Sequence, residues 1–219
     1  SGNVFLNKLF GAEIKVCPKN EDVTEYSKKL IEDIKSKGTN VYFIPGGGSN
    51  SVGALGYVEC LNEIITVNKK YNFSHIVHAT GSAGTQAGLL AGRKYFDCKI
   101  PVIGICVRYK KDIQIKKVYS EAKNTCEKLK CKSLDISEVI VDDNYIGPGY
   151  GEPTEEMLEA TKLLASKEGI LLDPVYSGKG FAGLIGMIRN KEFKIENNVL
   201  FIHTGGNASL PAYEWAFNK

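Results

Sequence analysis

The fold is decided by residues 75–92, His75-Ile-Val-His-Ala-Thr-Gly-Ser-Ala-Gly-Thr-Gln-Ala-Gly-Leu-Leu-Ala-Gly92. The apolar run Ile76 to Ala79 reads as a strand and the small residues Thr80 to Thr85 as a turn. Ala87, Leu89, Leu90 and Ala91 read as the apolar pattern of a helix. In a strand–turn–helix unit the N–H groups of the turn stand at a helix N-terminus, where orphan donors and the macrodipole favour an anion. Gly81 and Gly84 allow close backbone approach, and Ser82 and Thr85 add hydroxyls. This cradle contains no lysine, which points to a small phosphate monoester rather than a nucleotide γ-phosphate. A dinucleotide loop fits poorly: Gln86 and Ala87 stand where the third glycine of G-x-G-x-x-G would fall, and no acidic residue ends a second strand about 20 residues later. For this segment by itself, a glycine-rich turn of an open sheet without a ligand is the plainer alternative.

Strand and helix alternate outward from this unit. On the N-terminal side, Asn3 to Phe10 reads as the end of a helix and Ala12 to Val16 as a short strand. Asp22 to Ser36 is an amphipathic helix with Tyr26, Leu30 and Ile34 on one face. Val41 to Ile44 reads as a strand running into the loop Pro45-Gly-Gly-Gly-Ser-Asn50, and Ser51 to Asn68 as a helix. On the C-terminal side come a strand at Val102 to Arg108, a helix at Ile113 to Lys130 and a strand at Ser137 to Val141. A loop from Asp142 to Pro153 follows, then a helix opened by Pro153-Thr-Glu-Glu156 and ended by Gly169. The turn Asp173-Pro-Val-Tyr-Ser-Gly178, a helix from Lys179 to Asn190 and a strand from Val199 to His203 complete the chain.

That alternation predicts an α/β fold: an open, mostly parallel twisted sheet flanked by helices, with right-handed crossovers. Special turns at Thr80, Tyr150, Tyr176 and Thr204 fall near the C-terminal ends of strands, the edge where such sheets bind ligands.

The chain has 219 residues with a formal net charge of +3, 43% hydrophobic and 24% charged, an ordinary globular composition. Its lysines are scattered and not interleaved with aromatics, which argues against nucleic acid. No apolar run approaches the ~20 residues of a membrane span, and no signal peptide opens the sequence. The six cysteines, Cys17, Cys60, Cys98, Cys106, Cys126 and Cys131, form no C-x-x-C pair. Free thiols in a reducing, cytoplasmic setting are expected, without structural zinc. His75, His78 and His203 lack metal-ligand spacing, and structural roles are expected for His78 and His203.

Taken together, the loops resemble the pyridoxal-phosphate enzymes of the tryptophan-synthase β fold, fold type II. More narrowly they are similar to the 1-aminocyclopropane-1-carboxylate deaminase / D-cysteine desulfhydrase family. The matching elements are Gly2-Asn3 with Phe10-Gly-Ala-Glu13, Ile44-Pro-Gly-Gly-Gly-Ser49 with Gly56-Tyr57, and Thr80-Gly-Ser-Ala-Gly-Thr-Gln-Ala-Gly88. They continue with Gly149-Tyr-Gly-Glu-Pro153, Asp173-Pro-Val-Tyr-Ser-Gly-Lys179 and His203-Thr-Gly-Gly206.

The resemblance implies the C-terminal portion of such an enzyme, with residues 1–50 the remainder of a small domain. Residues 51–219 would be a large cofactor-binding domain lacking its N-terminal strands. It further implies that Ser82, Ala83, Gly84 and Thr85 hold the phosphate of pyridoxal 5'-phosphate, largely through backbone N–H groups. Tyr150 and Tyr176 match two active-site tyrosines, and Ser177 and Thr204 match positions close to the pyridine nitrogen. The deaminase branch carries an acid in place of Ser177 and an aliphatic residue in place of Thr204. Hydroxyls give a weaker electron sink than a carboxylate. That favours β-elimination of the D-cysteine desulfhydrase type, giving pyruvate, ammonia and sulfide, over opening of a cyclopropane ring. The implied partners are a small amino-acid substrate and, in the intact protein, a second copy in a homodimer.

The sequence departs from the family in lacking the Schiff-base lysine with its glycine-asparagine segment, and the Ser-Asn-His turn that binds a carboxylate. Ser1-Gly2-Asn3 also opens without a methionine. The expectation is therefore a portion inactive alone, the alternative being a non-catalytic phosphate-binding module or pseudoenzyme. Lys179 is expected to open a surface helix rather than to replace the missing lysine. Apolar strand edges and faces left uncovered should make the chain poorly soluble or bind it to a partner.

Overall fold

Four strands, β1 (Phe73–Thr80), β2 (Val102–Cys106), β3 (Ile140–Asp142) and β4 (Asn198–Ile202), form one sheet in the order β3-β2-β1-β4. Every neighbouring pair is parallel. The computed structural model describes residues 2–218; Ser1 and Lys219 lie outside the described residues. β1 and β2 form the middle of the sheet because their runs of Ile, Val, Ala and Cys can be buried on both faces, as parallel strands require. Ile76, Val77, Val102, Ile105 and Cys106 are all fully buried.

The described residues form eight helices: α1 (Gly2–Leu9), α2 (Val23–Ser36), α3 (Leu55–Tyr71), α4 (Gly84–Tyr95), α5 (Lys111–Leu129), α6 (Glu155–Glu168), α7 (Ser177–Arg189) and α8 (Glu214–Phe217). Consecutive residues of a strand point to opposite faces. Thr80 and Gln86 lie against Gly104 on one face, while Ala79 meets Gly180 of α7 on the other. α4, flanked by α3 and α5, therefore covers one face, and α7, backed by α6, the other.

The larger core lies under α4, where Leu61, Leu89, Leu90, Val118 and Ala122 are almost wholly buried. Each large side chain among them contributes about 1.5–3 kcal/mol. α4 packs so closely on α3 that a Cβ at Gly88 would stand 2.2 Å from the Ala54 carbonyl oxygen. A second cluster, Val77, Ile103, Ile105, Leu184 and Met187, seals α7 to the sheet.

Several expectations need correction. Ala12 to Val16 and Val41 to Ile44 form no strand. A strand exists through its ladder, and no described residue pairs with either segment; Val16 and Tyr42 are 81% and 76% exposed. Ser137 to Val141 is also shifted. Asp135 and Glu138 form a capping box that winds residues 136–138 into a 3-10 turn, leaving Ile140–Asp142 to pair. Finally, α7 begins at Ser177 rather than Lys179, for a reason found in the site itself.

Candidate active site

β1 ends at Thr80 and α4 begins at Gly84, so the chain reverses within Gly81 to Ala83. Ala83 does this in the left-handed region, at φ 88°, a conformation costing roughly 1–2 kcal/mol for a residue with a Cβ. Such strain persists where the surroundings impose it, and Ala83 is buried. The Gly84 N–H donates to Ser49 Oγ at 3.1 Å. Among the described residues, the N–H groups of Ser82, Ala83, Thr85 and Gln86 have no acceptor. Several free donors at the start of a twelve-residue helix make a cradle suited to an anion.

The turn is anchored from beneath. The Thr80 hydroxyl accepts from Gln114 Nε2 at 2.9 Å, and Gln86 Nε2 donates to the Ile140 carbonyl at 2.8 Å. His78 is fully buried, with Nδ1 2.8 Å from the Ala79 carbonyl oxygen and Nε2 without a partner. Burial pushes its pKa down to about 4, the backbone bond opposing this in part.

The facing wall comes from the turn before α7. Asp173, 3% exposed, accepts the N–H groups of Val175 and Tyr176 on one carboxylate oxygen. Its other oxygen accepts the Ser177 N–H and hydroxyl, at 2.7 and 2.6 Å. Ser177 Oγ in turn accepts the Asp173 N–H at 2.8 Å. A carboxylate gathering three successive N–H groups at a helix start explains why α7 opens early.

The same cap aims Tyr176 across the sheet edge, so close that a Cβ at Gly81 would lie 2.8 Å from its hydroxyl oxygen. Glycine is required there. Tyr150 meets Tyr176 edge-on, with ring centroids 5.8 Å apart and planes at 84°. Burial, and then the neighbouring Tyr150 phenol, raise the Tyr176 pKa, so its phenol stays neutral. The Arg108 guanidinium, just beyond β2, lies 5.3 Å from the Tyr150 ring centroid, within cation–π range.

Thr204 follows β4 on an exposed turn, where its hydroxyl makes no hydrogen bond among the described residues. His203 fixes that turn. Its Nδ1 accepts the Gly205 N–H at 3.0 Å, so Nε2 carries the proton and donates to the Leu171 carbonyl at 2.8 Å.

Ser82, Tyr150, Tyr176 and Thr204 thus line one cavity of about 720 Å³ at the C-terminal edge of the sheet. Thr80 stands directly behind the Ser82 turn, so the four turns do converge. Ala83, Gly84, Thr85 and Ser177 do not line the cavity. Ala83 borders a neighbouring hollow of about 380 Å³ with Ser82, Lys116 and Lys117, and Ser177 is buried behind Asp173.

The sequence reading missed Arg108, Asp173, Tyr213 and the Gly46-Gly47 turn as wall residues. Asp173 and the glycines stood inside quoted motifs, whereas nothing in the local sequence marked Arg108 or Tyr213. Lys179 is the further correction. It is fully buried rather than on a helix surface, with Nζ bonded to the carbonyls of Ile146 and Gly149 at 2.6 and 2.9 Å. No lysine is among the cavity's described lining residues.

A model of a family described as pyridoxal-phosphate dependent enzyme matches residues 1–205. The crystal structure of an ACC deaminase homologue superposes with a TM-score of 0.90 at 34% identity, covering 100% of this chain and 66% of that protein. An O-ureido-L-serine synthase gives a TM-score of 0.64 at 16% identity, over 98% of this chain and 64% of that one, a likeness of fold. The chain therefore spans just under two thirds of the length of either protein.

Proposed function

The chain belongs to the pyridoxal-phosphate dependent enzyme family, and from that premise we propose that its cavity serves β-elimination on a small amino acid of the D-cysteine type. The free N–H groups of Ser82, Ala83 and Thr85 suit the cofactor's phosphate, while Gly84 gives its own N–H to Ser49. A cavity of about 720 Å³ has room for the pyridine ring beside them. When bound, the cofactor supplies an electron sink for charge developing at the substrate α-carbon.

The residues around it divide the remaining work. Tyr176, a neutral phenol packed on Gly81, holds the ring side of the cavity. Tyr150, 48% exposed, stands at the mouth with Arg108, whose charge suits a substrate carboxylate. A phenol at that place can hold or pass a proton at the leaving sulfur.

The preference for elimination is carried by Asp173. It is the single acid among the described lining residues, and both its oxygens are committed to the α7 cap. That leaves the Thr204 hydroxyl as a neutral partner for a ring nitrogen. A neutral hydrogen bond supports a weaker sink than a carboxylate. A weaker sink suffices where the leaving group is a thiolate. The net reaction converts D-cysteine and water to pyruvate, ammonia and hydrogen sulfide. Ring opening of 1-aminocyclopropane-1-carboxylate is the second reading, favoured by the 34% identity to an ACC deaminase homologue.

Two measurements test this. Titrating pyridoxal 5'-phosphate into the protein while following intrinsic fluorescence reads binding alone. Saturable quenching is expected, weakened by Ser82→Asp, which puts a negative charge in the cradle. Sulfide and pyruvate from D-cysteine, against 2-oxobutyrate from the cyclopropane acid, read the reaction. For these 219 residues by themselves, binding without turnover is expected, because no described lining residue can hold the cofactor covalently. In the polypeptide as its gene encodes it, 2-oxobutyrate without sulfide would overturn elimination. Absent quenching would overturn the site.

A further inference from the structure

Lys179 is the largest fully buried side chain among the described residues. A buried ammonium normally sits against an anion, yet Lys179 forms no ion pair among the described residues. Its partners are two carbonyls, Ile146 at 2.6 Å and Gly149 at 2.9 Å.

Both carbonyls belong to the connection between β3 and α6, and Gly149 immediately precedes Tyr150. This connection is soft by composition: Gly147 and Gly151 both adopt positive φ, at 70° and 80°. The one backbone hydrogen bond across its tip among the described residues, from Glu152 N–H to the Gly149 carbonyl, is long at 3.3 Å. Lys179 itself lies in the first turn of α7, whose N-cap is Tyr176. The buried amine therefore bridges the two segments that carry the tyrosine pair.

We propose that Lys179 is a positioning residue: it fastens the carbonyl before Tyr150 to the helix that carries Tyr176, and so holds the two rings edge to face. This rests on the reading of the cavity as an active site, and deepens it. Burial lowers the Lys179 pKa, with Glu152 opposing. A neutral amine keeps two N–H groups, so the tether outlasts deprotonation. An apolar residue of similar length would fill most of the space, strip the Ile146 carbonyl of its donor and leave the Gly149 carbonyl with the long Glu152 bond alone.

The test compares Lys179→Met with Leu184→Ala, which opens a cavity on the same helix at the side facing the sheet. Both should lower the melting temperature. Only Lys179→Met should also weaken the near-ultraviolet circular dichroism that the Tyr150–Tyr176 pair contributes, because only it releases Tyr150 from its edge-to-face contact. That contribution, read as the difference between a protein and its Tyr176→Phe counterpart, should be largely lost, and proteolytic cleavage within residues 146–151 should speed up several-fold. If Lys179→Met does not fold, Lys179→Gln takes its place; its amide is one atom too short to reach both carbonyls, and a smaller loss in the same direction is expected. An unchanged pair signal in whichever variant folds, or an equal loss in Leu184→Ala, would overturn the proposal. No cofactor enters these measurements. A protein that fails to bind pyridoxal 5'-phosphate yet shows the loss of the pair signal would refute the active-site reading and leave the tether standing.

Discussion

Tyr150 and Tyr176 meet edge to face across the cavity mouth, one half exposed and the other packed against the glycine that follows β1. The two phenols differ in what removing each should do. Tyr176→Phe deletes the hydroxyl packed on Gly81 and should cost about 1 kcal/mol of stability, whereas Tyr150→Phe should leave melting nearly unchanged. In a preparation that turns over, Tyr150→Phe should lower kcat by about 10²-fold or more, as loss of a proton-transfer group does. Turnover undiminished in Tyr150→Phe would remove that residue from the chemistry.

Gly81→Ala tests the contact between β1 and Tyr176. The added Cβ would lie 2.8 Å from the tyrosine oxygen and 3.1 Å from Val107 Cγ2. Both neighbours are held, so the substitution should cost about 1–3 kcal/mol and weaken binding of pyridoxal 5'-phosphate. Unaltered melting and binding together would show that the wall yields at this point.

Asp173→Ala removes the acceptor of three N–H groups and one hydroxyl at the start of α7. A loss of about 2–4 kcal/mol is expected, larger than an ordinary cap because the site is buried. Tyr176 should become mobile, which near-ultraviolet circular dichroism would register as a weakened aromatic signal. Chemical denaturation giving a loss below 1 kcal/mol would mean that the cap is redundant.

His78 should make stability depend on pH. Its folded pKa, about 4, lies below the ordinary 6.5, so the unfolded chain binds a proton between these values and the folded chain does not. The stabilisation is complete above pH 6.5 and is lost as the pH falls toward 4, by about 3 kcal/mol in total. Denaturant melts across that window should show the decline, and His78→Gln should remove this share of it. Parallel slopes in the two proteins would contradict the assignment.

The elements that sequence alone reveals are those whose pattern carries its own cause. The apolar run of β1, the small turn after it and the stripe of α4 state strand, turn and helix by periodicity. Segments 12–16 and 41–44 show the limit: their side chains favour strand, but a strand also needs a neighbour, and pairing is not a local property. The site divides in the same way. Ser82, Tyr150, Tyr176 and Thr204 were marked by turns at strand ends. Arg108 was invisible because its place on the rim depends on where β2 stops relative to a loop some forty residues further on. Lys179 was misjudged because its partners are carbonyls, which leave no trace in side-chain spacing.

Ser177 touches nothing in the cavity, yet it regulates the only acid that does among the described lining residues. Its hydroxyl occupies one lone pair of Asp173, so a residue without that hydroxyl would hand the oxygen back to whatever lies in front of it. The electronic character of the pocket could therefore be retuned from behind its wall, by one codon, with every group that meets a ligand left in place.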